Sequence, residues 1–365
     1  MPSLEEPALH EGSTVLVTGA NGFLGSHIAD QFLHYGFKVR GTVRDVNKNV
    51  WLADIFREKY GEGRFELWEI PDMAAQGFLD EAVKGVSAVT HTASIMSLDH
   101  DPNKVIPGAI AFGLNALKAI YAEPSVKRFE TWNEDAVQKA WADPPYTPER
   151  SHAVYSASKT LTEQAIWKYH KQHFNERPEL LLVLPNMTLG KSLDPVKQAY
   201  PSTAGMVALL YRGEVVEYHR IVPRQYFVDV QDVGRLHVAA AVLDKVRGQR
   251  IFGFAARYSW DSVLGILRKL EPAKVFVENF SGGEDPNEIE PRHKAEQLLR
   301  DLGRPGWTSL EESVWNMVEG FLFSRSLHDI TASCIITLVD AVLRNSVPHK
   351  LIPIRIHVWF SHLTL

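Results

Sequence analysis

Tyr155 and Lys159, in "VYSASKTLTEQAIWKYH", stand four residues apart, so on a helix both side chains share one face. An ammonium beside a phenol favours the tyrosinate and lowers a pKa that otherwise sits at about 10. A phenol tuned in this way can give a proton to a carbonyl oxygen as hydride reaches the carbon. The lysine can also hold a ribose hydroxyl. Isolated Tyr-x-x-x-Lys pairs are common on protein surfaces, so the chemistry depends on what lies around them. Upstream, "TGANGFLG" places Thr18, Gly19, Gly22, Phe23, Leu24 and Gly25 between a strand-like and a helix-like run. Glycines spaced in this way let the backbone approach a pyrophosphate, whose charge then sits at the helix N-terminus. A Cβ there would block the approach or forbid the turn. The following strand ends "TVRD". An acid at this point would take the ribose 2′-hydroxyl and an arginine the 2′-phosphate. Arg44 comes first, with Asp45 behind it and Lys48 close by, and a forked guanidinium suits a phosphate, so NADP(H) is expected over NAD. Asp72 in "IPDM" has two readings, an acceptor for an adenine amino group or a cap on the next segment.

The elements that must position these residues alternate along the chain. "TVLVT" (14–18) reads as a buried strand, and "FLGSHIADQFLHY" as a helix with Phe23, Ile28, Phe32 and Tyr35 on one face, ending at Gly36. "KVRGTVR" (38–44), "FELWEI" (65–70) and "SAVTHTA" (87–93) read as strands. "VWLADIFREKY", "FLDEAVKG" and a long run from "NKVIPGAIAF" read as the helices among them. Later strands are "ELLLVLPN" (179–186), "QYFVDV" (225–230) and "GQRIFGFA" (248–255). Strands separated by helices predict an α/β fold, a doubly wound parallel sheet flanked by helices.

Composition narrows the function. Of 365 residues, 45% are hydrophobic and 23% charged, as in ordinary globular chains. A net charge of −5 without a basic cluster argues against nucleic acid as the main partner. The single cysteine, Cys334, excludes a disulfide framework and fits a reducing compartment. The first residues lack the apolar core of a signal peptide, so a cytoplasmic protein is expected. His170 and His173 stand three apart with no third ligand at sensible spacing, and no metal is expected. The segment 326–365 is rich in Ile, Leu, Val and His, but Asp340 interrupts its longest apolar stretch, which falls short of a membrane span. Neither a membrane nor a nucleic acid is an expected partner; a small-molecule carbonyl substrate is, and helices flanking the sheet could pair two subunits into a homodimer.

In order along the chain stand TGANGFLG, TVRD, PDM, HTAS, Tyr155-x-x-x-Lys159, LPN and FVDVQDV. Together they resemble the extended short-chain dehydrogenase/reductases of the NAD-dependent epimerase/dehydratase superfamily. The likeness is greatest to the dihydroflavonol-reductase-like branch with its fungal NADPH-dependent aldehyde and ketone reductases, and it covers roughly residues 12–322. It implies a Rossmann-like NADP-binding domain over 12–186 after an extension at 1–11. A mainly substrate-covering region over 187–325 would follow, its strands 225–230 and 248–255 returning to the sheet, and then the atypical tail. It further implies Arg44 near the 2′-phosphate, Asp72 and Met73 beside the adenine, and Ala93 and Ser94 near the nicotinamide ribose. Pro185 and Asn186 would lie near the nicotinamide, with Tyr155 and Lys159 as the catalytic pair.

One stretch departs from that pattern. In the family "KRF" leads into a fifth, central strand ending in a serine-rich run, one hydroxyl of which holds the substrate carbonyl. Here "KRFETWNEDAV" (127–137) passes straight into the next helix. Thr131, Ser151 and Ser156 are the nearest hydroxyls, and none follows a strand. This junction and the tail are both abrupt, the pattern of a splice variant or a misread gene, which a transcript restoring a strand ending in Ser or Thr would confirm. Three functions follow: an NADPH-dependent reductase of aldehyde, ketone or dihydroflavonol-like substrates, a catalytically impaired NADP-binding protein, or an NAD-dependent sugar-nucleotide epimerase/dehydratase, against which Arg44 counts. Tyr211, Tyr226 and Trp260 are readable as pocket walls or as core, and core is the commoner fate of such residues.

Overall fold

β1 (Thr14–Thr18), α1 (Phe23–His34), β2 (Lys38–Val43), α2 (Val50–Tyr60), β3 (Phe65–Glu69), β4 (Ala88–His91) and α3 (Pro102–Ile120) follow one another in a computed structural model. It describes residues 9–73, 75, 77–93, 97, 99–120, 134–172, 181–243, 245–246 and 248–323. The four strands form one parallel sheet in the order β3-β2-β1-β4. Val15, Leu16 and Val17 of β1 are wholly buried, as a central parallel strand covered on both faces requires. The opening helix is more deeply enclosed than its one-faced period predicts: every residue from Phe23 to Leu33 is buried. "FLDEAVKG" forms hydrogen-bonded turns rather than the expected helix. Gly77 and Gly85, both at positive φ, bound a segment too short to offset helix nucleation.

The chain continues with α4 (Glu134–Ala140), α5 (Ser151–Gln172), β5 (Leu182–Pro185), β6 (Met187–Leu189), α6 (Pro195–Gln198), α7 (Thr203–Tyr211) and α8 (Glu217–Ile221). After these come β7 (Arg224–Asp229), α9 (Val230–Val242), β8 (Arg250–Gly253), β9 (Ala256–Ser259), α10 (Trp260–Leu270), α11 (Arg292–Asp301) and α12 (Leu310–Phe323). β5 pairs with β8 in parallel, and β7 lies between parallel β6 and antiparallel β9. β6 and β9 carry no separate turn signal and escape a sequence reading. Among the described residues no ladder joins β4 to β5. The departing stretch from 127 to 133, including Thr131, together with His173 and the 326–365 tail, lies outside the described residues. Among those described, no helix is long and apolar enough to cross a membrane.

The "FVDVQDV" run is a structural knot. Asp229 caps α9 by accepting the Gln231 amide at 2.8 Å and also accepts the Ser313 hydroxyl from α12. Asp232 accepts the Thr308 amide at 2.6 Å and pairs with Arg235 at 2.6 Å. Burial first, then the neighbouring Asp232 charge, push the Asp229 carboxyl up to about 6.

Candidate active site

The sheet register brings the motif ends to one edge. Thr18 is level with Thr42 of β2 and His91 of β4, and Val43 is level with Glu69 of β3. The glycine turn, Arg44, Thr92–Ala93 and Ile70–Met73 therefore all leave the carboxyl ends of parallel strands, where ligands bind in open α/β sheets. Gly19 has φ +66°, and a Cβ on Gly25 would lie 2.2 Å from the Gly19 carbonyl oxygen. The turn closes on itself through the Gly22 amide, which donates to Gly19 O at 3.0 Å. At Gly22, the N-cap of α1, no side chain caps the helix, and its first turn holds no acid. Its positive end is open to an anion, and this is the fit a dinucleotide pyrophosphate needs.

Thr18 locks this turn to β4. Its Oγ1 accepts the amides of Thr92 and Ala93, each at 3.1 Å, and Thr92 Oγ1 donates to the Thr18 carbonyl at 2.6 Å. With both lone pairs taken, the Thr18 hydrogen points to His91 Nδ1 at 2.9 Å. Burial lowers His91 to about 4, so it stays neutral with its proton on Nε2. Ala93 and Met73 are buried in one apolar cluster with Leu16, Ile70 and Phe112. Asp72 is exposed, and Ser94 lies outside the described residues. Beyond β2, Lys48 pairs with Asp45 at 2.7 Å and its amide donates to the same carboxylate at 3.1 Å. Hydrogen bonding from the Lys48 side chain holds Asp45 below its usual range. Lys48 thus neutralises the acid behind Arg44 rather than standing alone.

Tyr155 and Lys159 are both buried on α5, with Lys159 Nζ 5.2 Å from the Tyr155 ring centroid. Burial lowers Lys159 to about 7. Pro185 ends β5 level with Gly253. Asn186, also buried, donates its amide to the Gly253 carbonyl at 3.1 Å and turns its Oδ1 back to the Met187 amide at 2.7 Å. The profile of the "NAD dependent epimerase/dehydratase family" matches residues 15–252.

The chain belongs to the NAD-dependent epimerase/dehydratase family. Aldehyde reductase 2 of Sporidiobolus salmonicolor is 39% identical over 345 residues, covering 87% of this chain and 98% of that protein. Ketoreductase adrE of Penicillium rubens is 34% identical, covering 83% and 95%. Among solved structures, Gre2 from Candida albicans in complex with NADPH superposes with a TM-score of 0.69 at 21% identity, over 86% of this chain and all of that one. The fold is therefore the Rossmann-like α/β fold of these reductases.

Two features of this family member lie beyond its motifs. Glu163, one turn past Lys159, is fully buried and pairs with buried Arg250 of β8 at 2.9 Å, and it accepts Trp167 Nε1 at 3.3 Å. This pair ties the Tyr-Lys helix to the β5–β8 ladder. The four-residue step Tyr155, Lys159, Glu163, Trp167 was the available signal, and it is weak because exposed helices show it as often. Tyr218 on α8 is raised by burial and then by the charge of Tyr155. No spacing announces that influence. Tyr211, Tyr226 and Trp260 are core: Trp260 donates to Val222 O at 2.7 Å and Tyr226 to Asn287 O at 2.9 Å. Ser151 and Ser156 are buried on α5.

Proposed function

We propose that this chain binds NADPH at the Gly19–Gly25 turn and reduces the carbonyl group of an aldehyde, ketone or dihydroflavonol-like substrate. The observation that carries the reading is the burial of Tyr155 against Lys159 on α5, in a chain whose glycine turn admits no Cβ at Gly25. When bound, the cofactor supplies hydride to the carbonyl carbon. Tyr155 gives its phenolic proton to the carbonyl oxygen, and Lys159 holds the phenol and a ribose hydroxyl. Arg44 takes the 2′-phosphate, supported by the commitment of Asp45 to Lys48. Phe23 and Leu24 offer the first helical amides to the pyrophosphate, Met73 and Asp72 flank the adenine, and Ala93 with Ser94 and Pro185 with Asn186 line the nicotinamide end.

The hydroxyl donor of the central strand has no equivalent in this reading. The aldehyde reductase alignment is 345 residues long yet takes up only 87% of the 365 residues here, which supports a segment present in relatives and absent from this chain. Losing one donor to the developing oxyanion costs about 2.7–4 kcal/mol of barrier, a factor of roughly 10²–10³. Slow turnover is expected: NADPH-dependent reduction of small aldehydes, followed at the reduced nicotinamide band, with little activity from NADH. NADPH binding without turnover on a broad aldehyde and ketone panel would favour instead a dinucleotide-binding protein without catalysis, the reading that the absent segment supports.

A further inference from the structure

Between β6 and α7 the chain crosses the N-terminal half of α1 as a strap, residues 190–202. Gln198 fastens it. Its Nε2 lies 3.1 Å from the Asn21 carbonyl, 3.3 Å from the Gly22 carbonyl and 2.9 Å from Ser26 Oγ. Its Oε1 accepts the amides of Leu193 and Asp194 at 2.9 and 3.2 Å. A single side-chain amide thus joins the glycine turn to a segment more than 170 residues away, and both of its ends are occupied. A second clamp lies one turn along. His27, lowered to about 4 by burial and so neutral, donates from Nε2 to the Lys191 carbonyl at 2.8 Å.

The strap is held in a costly shape. Ala199 and Ser202 have φ of +53° and +55°, a region that disfavours residues with a Cβ, and such outliers persist only where surrounding contacts impose them. Those contacts are present. The Ser192 hydroxyl donates to the Ala199 carbonyl, Asp194 accepts the amides of Val196 and Lys197 at 2.9 and 3.0 Å, and Thr203 Oγ1 donates to Thr188 O at 2.5 Å. In a trans peptide the carbonyl and the following amide point in opposite directions. The Gly22 amide, which follows Asn21, stays with Gly19 O, whereas drawing the Gly22 carbonyl onto Gln198 turns the Phe23 amide that follows it away from the strap.

We propose that Gln198 is a positioning residue that sets the Phe23 amide at the end of the cofactor turn from the far side, so that pyrophosphate affinity depends on the 190–202 strap. This rests on the NADPH reading above and adds a determinant outside the glycine motif. The strap leads directly into α7 and then α8, which carries Tyr218, a phenol that the charge of Tyr155 raises.

Gln198→Met keeps the stem and removes the amide. It should weaken NADPH binding about tenfold, the loss expected for removing a hydrogen-bond partner from part-buried polar groups. Binding of adenosine 2′-phosphate, which has no pyrophosphate, should be unchanged. Without ligand, amide hydrogen exchange over residues 19–30 should speed up in the variant. Equal weakening of both ligands, or wild-type exchange and affinity in the variant, would overturn the proposal. Gln198→Ala decides the point by the same ligand comparison if the methionine variant folds poorly. If wild-type protein binds no NADPH, the cofactor reading fails, and the exchange comparison alone then tests whether Gln198 orders the turn.

Discussion

Tyr155→Phe is expected to lower kcat for carbonyl reduction by about 10²–10⁴-fold, the usual contribution of a positioned general acid. NADPH affinity should be almost unchanged. The phenylalanine ring fills the same buried slot on α5 against Lys159, so the loss falls on the proton and not on packing. An interaction made only in the transition state lowers kcat and kcat/KM together. Single-turnover oxidation of bound NADPH separates this from slow product release. Turnover that survives the substitution would remove Tyr155 from the mechanism and direct attention to Tyr218, a phenol that the Tyr155 charge reaches.

Gly25→Ala should all but abolish NADPH binding, with a loss beyond about 100-fold, and should cost about 1–3 kcal/mol of stability by overpacking. The new methyl would meet Gly19 O at 2.2 Å, Gly19 C at 2.9 Å and Ala20 Cα at 3.2 Å. All three are backbone atoms of the turn, so relief requires moving the amides that receive the anion. Gly265→Ala on α10 is the matched control. Nothing lies within 4 Å of its added Cβ, and in a helix it should stabilise by about 0.4–1 kcal/mol. Titration by nucleotide fluorescence with thermal melts on both variants checks the pair, and retained affinity in Gly25→Ala would place the dinucleotide elsewhere.

What was legible in the sequence was whatever local physics sets. The buried run of β1, the glycine turn, the α2 boundaries and the helix under Tyr155 and Lys159 all follow from period, punctuation and chain reversal, and the structure has them at those residues. "FLDEAVKG" misled because a short amphipathic run looks the same whether it forms turns or a helix. Asp229 and Asp232 stood out only as a motif, and their work, tying α12 and the 308 turn to the sheet, depends on partners more than 70 residues distant. Gln198 and the Glu163–Arg250 pair were illegible for the same reason: a polar residue bonded across the fold has no periodic signature. Lys48 was read toward a phosphate, and its pairing with Asp45, three residues back, has no signature in the sequence that separates it from that reading.

The most direct test is a calorimetric titration of the whole chain with NADPH near pH 7, in buffers of differing ionisation enthalpy. Burial holds Lys159 near 7, and an anionic dinucleotide arriving at the same site favours its charged form. Binding tighter than that of NADH is expected, with net proton uptake from the buffer that disappears in Lys159→Met. No heat with either nucleotide, from protein shown to be folded, would contradict it.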